Sequence, residues 1–145
     1  MYTHEDFAAD VTREFQFLET EYALRREPLH VAGAGLWLQY AGPSVRVIVE
    51  HEVGGTCGVT VQNLRHIKRD PLERSEFDLD EIVAVSNAPR QGRRPDPRSM
   101  SEAVARAAQS LRTVGASVLK GDFEALQVRQ KKAVEALRRH HPLED

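Results

Sequence analysis

Four arginines, Arg90, Arg93, Arg94 and Arg98, fall within the short stretch "NAPRQGRRPDPRS" from 87 to 99. A guanidinium presents a planar fork of donors that suits phosphate or carboxylate. The stretch is therefore the first place in this sequence where binding chemistry is suggested. Pro89, Pro95 and Pro97 restrict its backbone and Gly92 loosens it, which predicts an exposed loop between helices. No aromatic residue occurs from 78 to 122, so the side chains that usually stack on bases are missing. The residues favour a solvated loop, partly balanced by an acidic N-terminal helix. Contact with an acidic protein is a second reading, and a regulatory module touching nucleic acid through Arg90–Arg98 a third.

Few other residues are arranged for chemistry. Cys57 is the only cysteine, which excludes an internal disulfide and cysteine-based zinc sites. It is expected on a core face as a small buried hydrophobe, with His51 on the same face as a core or edge residue. His140 and His141 are adjacent, so on a helix they diverge by about 100°, unlike an i, i+4 ligand pair. Asp78, Asp80 and Glu81 are explained by helix capping. The sequence has no G-x-S-x-G elbow, no GxxxxGK[ST] loop, no H-E-x-x-H and no calcium loop. "AGAGL" at 32–36 holds only G-x-G and precedes a strand pattern, so it is expected to be a bend. No catalytic residue, metal site or cofactor is predicted, although an enzyme whose site is assembled from distant residues is an alternative.

The elements that would carry these residues are more legible. The chain has 145 residues, with 41% hydrophobic and 29% charged, enough for one ordinary domain. Its net charge of −2 lacks the positive excess usual in nucleic-acid modules. No apolar run approaches the roughly 18 residues that span a bilayer. The acidic start "MYTHEDFAAD" has no apolar signal core. These features predict a single cytoplasmic domain with no membrane contact.

Thr3 and Asp6 form a cap for a first helix, whose stripe Phe7, Val11, Phe15, Leu18 and Tyr22 continues towards Pro28. The middle of the chain predicts a three-stranded antiparallel meander. Leu36, Leu38 and Tyr40 alternate with Trp37 and Gln39, and Val45, Val47 and Val49 alternate with Arg46, Ile48 and Glu50. With residues 41–44 as the turn, Tyr40 faces Val45, Leu38 faces Val47 and Trp37 faces Ile48. A two-residue Gly54–Gly55 turn would oppose apolar to polar residues. An odd-length loop such as Gly54–Thr56, or a glycine bulge, is expected instead; the three-residue loop pairs Val49 with Val61, Val53 with Cys57 and His51 with Val59.

After a turn at Pro71, Asp78, Glu81, Phe77 and Ile82 form a cap with a hydrophobic staple, predicting a short helix near 79–86, although "IVAV" also suits a strand. Ser99 and Glu102 cap a helix lined by Val104, Ala107, Ala108, Leu111, Val114 and Val118. Gly121 ends it and Asp122 caps a last helix with the stripe Phe123, Leu126, Gln130, Ala133, Val134 and Leu137. The expected fold is α+β: an N-terminal helix, a three-stranded antiparallel meander, a short helix, and two C-terminal helices packed on one sheet face.

On the polar face of that sheet, Trp37 and Ile48 stand among Gln39, Arg46, Glu50 and Gln62. An apolar pair inside a polar rim has the anatomy of a small interface, and tryptophan is enriched in binding hot spots. These six residues are the candidate partner-binding set, unless a loop or helix covers Trp37.

"FAADVTREFQFLETEYAL", the strand meander and "LKGDFEALQVRQ" together resemble small, mostly uncharacterised bacterial α+β proteins, some of them immunity proteins encoded beside polymorphic toxins. The resemblance implies a non-enzymatic protein that neutralises a partner, such as a toxin, by binding and occluding it. It implies no catalytic residues, and partner identity and oligomeric state are left open.

Overall fold

A computed structural model of the chain describes residues 1–32, 35–52, 55–66, 73–86 and 96–140. Its elements are α1 (His4–Glu14), α2 (Phe17–Thr20), β1 (Arg25–Arg26), β2 (His30–Ala32), β3 (Gly35–Ala41), β4 (Val45–Glu52), β5 (Thr56–Asn63), β6 (Glu76–Asp78), α3 (Leu79–Val85), α4 (Met100–Val114), α5 (Ala116–Leu119) and α6 (Glu124–His140). The fold is α+β with an antiparallel sheet. The sheet has six strands rather than three, in the order β1-β3-β4-β5-β6, with β2 also on the outer side of β3. The three added strands are two or three residues long, too short to show an alternation.

Both long hairpins lie two residues from the expected register. Tyr40 pairs with Val47, Leu38 with Val49 and Leu36 with His51, while Trp37 pairs with Glu50 and Gln39 with Ile48. The Gly42 N–H donates to the Val45 carbonyl at 2.9 Å, so only Pro43 and Ser44 form the turn, not 41–44. Between β4 and β5, Val47 pairs with Val61, Val49 with Val59 and His51 with Cys57. Three residues, 53–55, connect the strands; the odd length holds, but the loop starts one residue earlier than Gly54–Thr56. The expected partner of Cys57, Val53, lies outside the described residues. A shift by two keeps every side chain on its face, because strands repeat every two residues.

That parity builds the core. Leu36, Leu38, Tyr40, Val45, Val47, Val49, Val59, Val61 and Phe77 are buried on one face and join Phe7, Val11, Phe15, Val104 and Leu111 from the helices in one hydrophobic cluster. α4 lies against both β5 and α1.

The helix ends follow their caps. Thr3 accepts from the Asp6 N–H while Asp6 accepts from the Thr3 N–H, and Asp78 and Glu81 do the same for α3. Residues 79–85 are thus helix, with Phe77 and Ile82 both buried beside the cap. Ser99 accepts from the Glu102 N–H, but Glu102 reaches the Arg98 N–H at 3.0 Å rather than completing a capping box.

Three helical stripes are shorter than expected. The first is interrupted at Phe15–Gln16 and stops at Thr20, well before Pro28. Ala23 then adopts φ of 54°, a left-handed conformation that costs a non-glycine residue about 1–2 kcal/mol. The second breaks at Gly115, so Val118 belongs to the separate α5. Phe123, just before α6, and Leu126 and Gln130 within it are buried as expected, whereas Ala133 and Leu137 are exposed.

Candidate functional site

The face of the sheet opposite the core presents its residues in cross-strand rows. One row runs His30, Trp37, Glu50, Gly58; the next Gln39, Ile48, Thr60, Asp78; the third Arg25, Ala41, Arg46, Gln62, Glu76. All six candidate residues, Trp37, Gln39, Arg46, Ile48, Glu50 and Gln62, are on this face and partly exposed. Trp37 is opposite Glu50 rather than Ile48, so the apolar pair meets along the diagonal, at roughly 7–8 Å between backbones. The Trp37 ring is stacked on His30, with centroids 5.5 Å apart and planes at 15°. This support comes from β2, a strand with no visible sequence signal.

Charge is distributed unevenly over the face. Arg46 Nη1 donates to Gln62 Oε1 at 3.3 Å, and Gln62 Nε2 donates to Glu76 Oε2 at 2.9 Å. Arg46 Nε is buried without an acceptor. Among the described residues, neither Arg46 nor Glu50 belongs to an ion pair. They are four residues apart on one strand, about 13 Å, too far to satisfy each other. Beyond Glu50, the Glu52 carboxylate accepts from Thr56 Oγ1 at 2.9 Å and lies over Gly58, in the space a side chain there would claim. Along β4 the face is acidic at Glu50 and Glu52, apolar at Ile48 and basic at Arg46, whose row also holds Arg25 and Glu76.

Of the arginine stretch, Arg90, Arg93 and Arg94 lie outside the described residues. Arg98 is exposed just before the Ser99 cap.

A second cluster escaped the sequence reading. His51 and Cys57 are direct cross-strand neighbours on the core face. The His51 ring is stacked on Phe7 at 5.4 Å and meets the Tyr2 ring edge-on at 6.3 Å. Burial, with a smaller contribution from the Glu52 charge, pushes the Cys57 thiol up to about 12. A thiol so protonated is a poor nucleophile. Nearby, Asp10 Oδ2 accepts from Tyr2 Oη and from Ser101 Oγ, both at 2.7 Å, and Asp10 Oδ1 accepts from Arg13 at 2.7 Å. Burial alone would raise the Asp10 carboxyl, but these donors hold it below its ordinary value. Burial and the bond to Asp10 raise the Tyr2 phenol. With its oxygens engaged by three side chains, Asp10 ties α1 to α4 and is not positioned as a base.

Two concavities lie elsewhere. A groove of about 830 Å³ is walled by α3, the end of α4, α5 and α6, with Ile82, Val114, Val118 and Val128 on its lining. A recess of about 390 Å³ beside α6 contains His66, whose Nε2 is 3.2 Å from Glu73 Oε2. Among the described residues no group of three or more His, Cys, Asp or Glu side chains is placed to hold a metal ion, and no helix is long and apolar enough to cross a membrane. No protein-family model, curated protein or solved structure gives a significant match to the chain.

Proposed function

We propose that the chain is a non-enzymatic protein-binding module that uses the sheet face opposite its core as its contact surface. It would neutralise a protein partner by occlusion, in the manner of an immunity protein acting on a toxin. The observation that carries this reading is the partial exposure of Trp37 and Ile48 in the middle of a polar face. Burying a large apolar side chain yields about 1.5–3 kcal/mol, and Trp37 is held by His30 in one orientation, which lowers the ordering cost on binding. Gln39, Gln62 and Thr60 supply donors and acceptors for a rim.

The test is quenching of Trp37, the only tryptophan, by acrylamide and iodide in a dilute solution of the chain. Trp37 is expected to be quenched when free and protected when a partner is added, the product of the adjacent reading frame being the first to try. Trp37→Ala and Ile48→Asp should abolish that binding with thermal unfolding unchanged. A Trp37 that no quencher reaches in the monomer would defeat the reading, since a side chain already covered has nothing further to bury.

A further inference from the structure

We infer that, when no other partner is present, this face is covered by a second copy of the same chain, joined face to face across a two-fold axis. The inference rests on the reading of the face as a protein interface and adds the identity of the occupant. It follows from how the rows are ordered. The axis lies between the two sheets and crosses the strands at the level of Gln39, Ile48 and Thr60. Such an axis sets β4 of one copy antiparallel over β4 of the other. Arg46 then stands over Glu50 of the second copy, and Glu50 over Arg46 of the second copy. The symmetry makes both contacts at once, as any isologous interface does.

Arg46 and Glu50, which belong to no ion pair among the described residues, thereby acquire one each. The shapes agree with the charges. On β3 the same operation, centred on Gln39, places the large Trp37 over the small Ala41 of the second copy, and Ile48 meets its own symmetry mate. Sheets packed in this way are about 10 Å apart with strands within about 30° of alignment. Asp78, the one acidic residue of the axial row, does not obstruct the approach, because its side chain is turned to cap α3. The three long strands of about 25 Å and the short β1, β2 and β6 of about 7–10 Å, spaced about 4.8 Å apart, give a face near 500 Å² in projection. Side-chain relief brings its accessible area towards the about 800 Å² per partner of a standard interface.

Sedimentation equilibrium of the full chain at low salt tests this directly. The chain is expected to sediment at twice 16.3 kDa, dissociating on dilution. Arg46→Glu places two like-charge contacts in the dimer, as does Glu50→Arg, so each variant alone should dimerise at least about tenfold more weakly. Mixed together, the two variants recreate both opposite-charge contacts, and a heterodimer should form from two species that self-associate only weakly. That complementation cannot come from misfolding of either variant. A chain that remains monomeric at high concentration overturns the inference, as does a dimer indifferent to both reversals or a mixture that fails to associate. A monomer whose Trp37 is readily quenched removes the second copy as occupant and leaves the protein-binding reading standing. A monomer with an inaccessible Trp37 removes both.

Discussion

His51 and Cys57 face each other directly across β4 and β5, yet the imidazole is stacked on Phe7 and the thiol is held in its protonated form. With the thiol pushed up to about 12, its thiolate fraction at pH 8 is about 10⁻⁴, against roughly one quarter for a free cysteine. Labelling by a thiol reagent at that pH should therefore be slow in the native chain and rapid after denaturation. Fast native labelling would contradict the environment described here.

Asp10 makes stability depend on acidity. Its native carboxyl is lowered, so the charged form favours folding; the contribution is present above the unfolded value of about 3.9 and is lost as pH falls through the lower native value. Urea unfolding between pH 2 and 6 should show stability declining below about pH 4, and Asp10→Asn should flatten that decline. At neutral pH Asp10→Ala is expected to cost about 2–3 kcal/mol, because it leaves Tyr2 and Ser101 with unpaired hydroxyls at a part-buried site.

The cap of α3 offers a smaller, more local effect. Asp78→Ala removes the acceptor for the Glu81 N–H and should lower stability by about 1 kcal/mol, with Asp78→Asn retaining most of it. Chemical denaturation at pH 7 would distinguish the two variants. Equal losses would show that the cap is not what holds this helix end.

Changing Arg90, Arg93, Arg94 and Arg98 together to Gln should leave thermal unfolding nearly unchanged, since exposed ion pairs are worth about 0–1 kcal/mol each. Titrations with DNA and RNA at two salt concentrations complete the test. Tight binding with a steep salt slope, lost in the quadruple variant, would identify a nucleic-acid contact in this stretch.

How much of this could be seen beforehand follows from what each pattern constrains. Alternation fixes parity, so Trp37, Gln39, Arg46, Ile48, Glu50 and Gln62 could be assigned to one face from the sequence. It does not distinguish registers that differ by two, so alternation alone pairs Trp37 with Ile48 and passes over the His51–Cys57 contact. Capping residues act within four positions, and Thr3, Asp78 and Ser99 were correspondingly legible. The breaks at Gln16 and Gly115 were hidden because apolar spacing runs on through both. β2 was invisible, since three residues form a strand only when β3 supplies the other half of the ladder, and with it the support of Trp37 by His30 was hidden.

The links between the N-terminal helices and α4 have a kinetic consequence. Asp10 bonds Ser101 and Glu21 bonds Arg112, and each contact joins residues 91 positions apart. The β3–β4 and β4–β5 hairpins close over two and three residues. Closing the longer span costs about 3 kcal/mol more chain entropy. The hairpins should therefore assemble first and the N-terminal strap dock last. A weakened strap, as in Asp10→Asn, would steepen the escape from the native state and leave refolding almost as fast as before. The lifetime of the folded chain, and its resistance to proteases that wait for an opening, would then be set by residues remote from the sheet face.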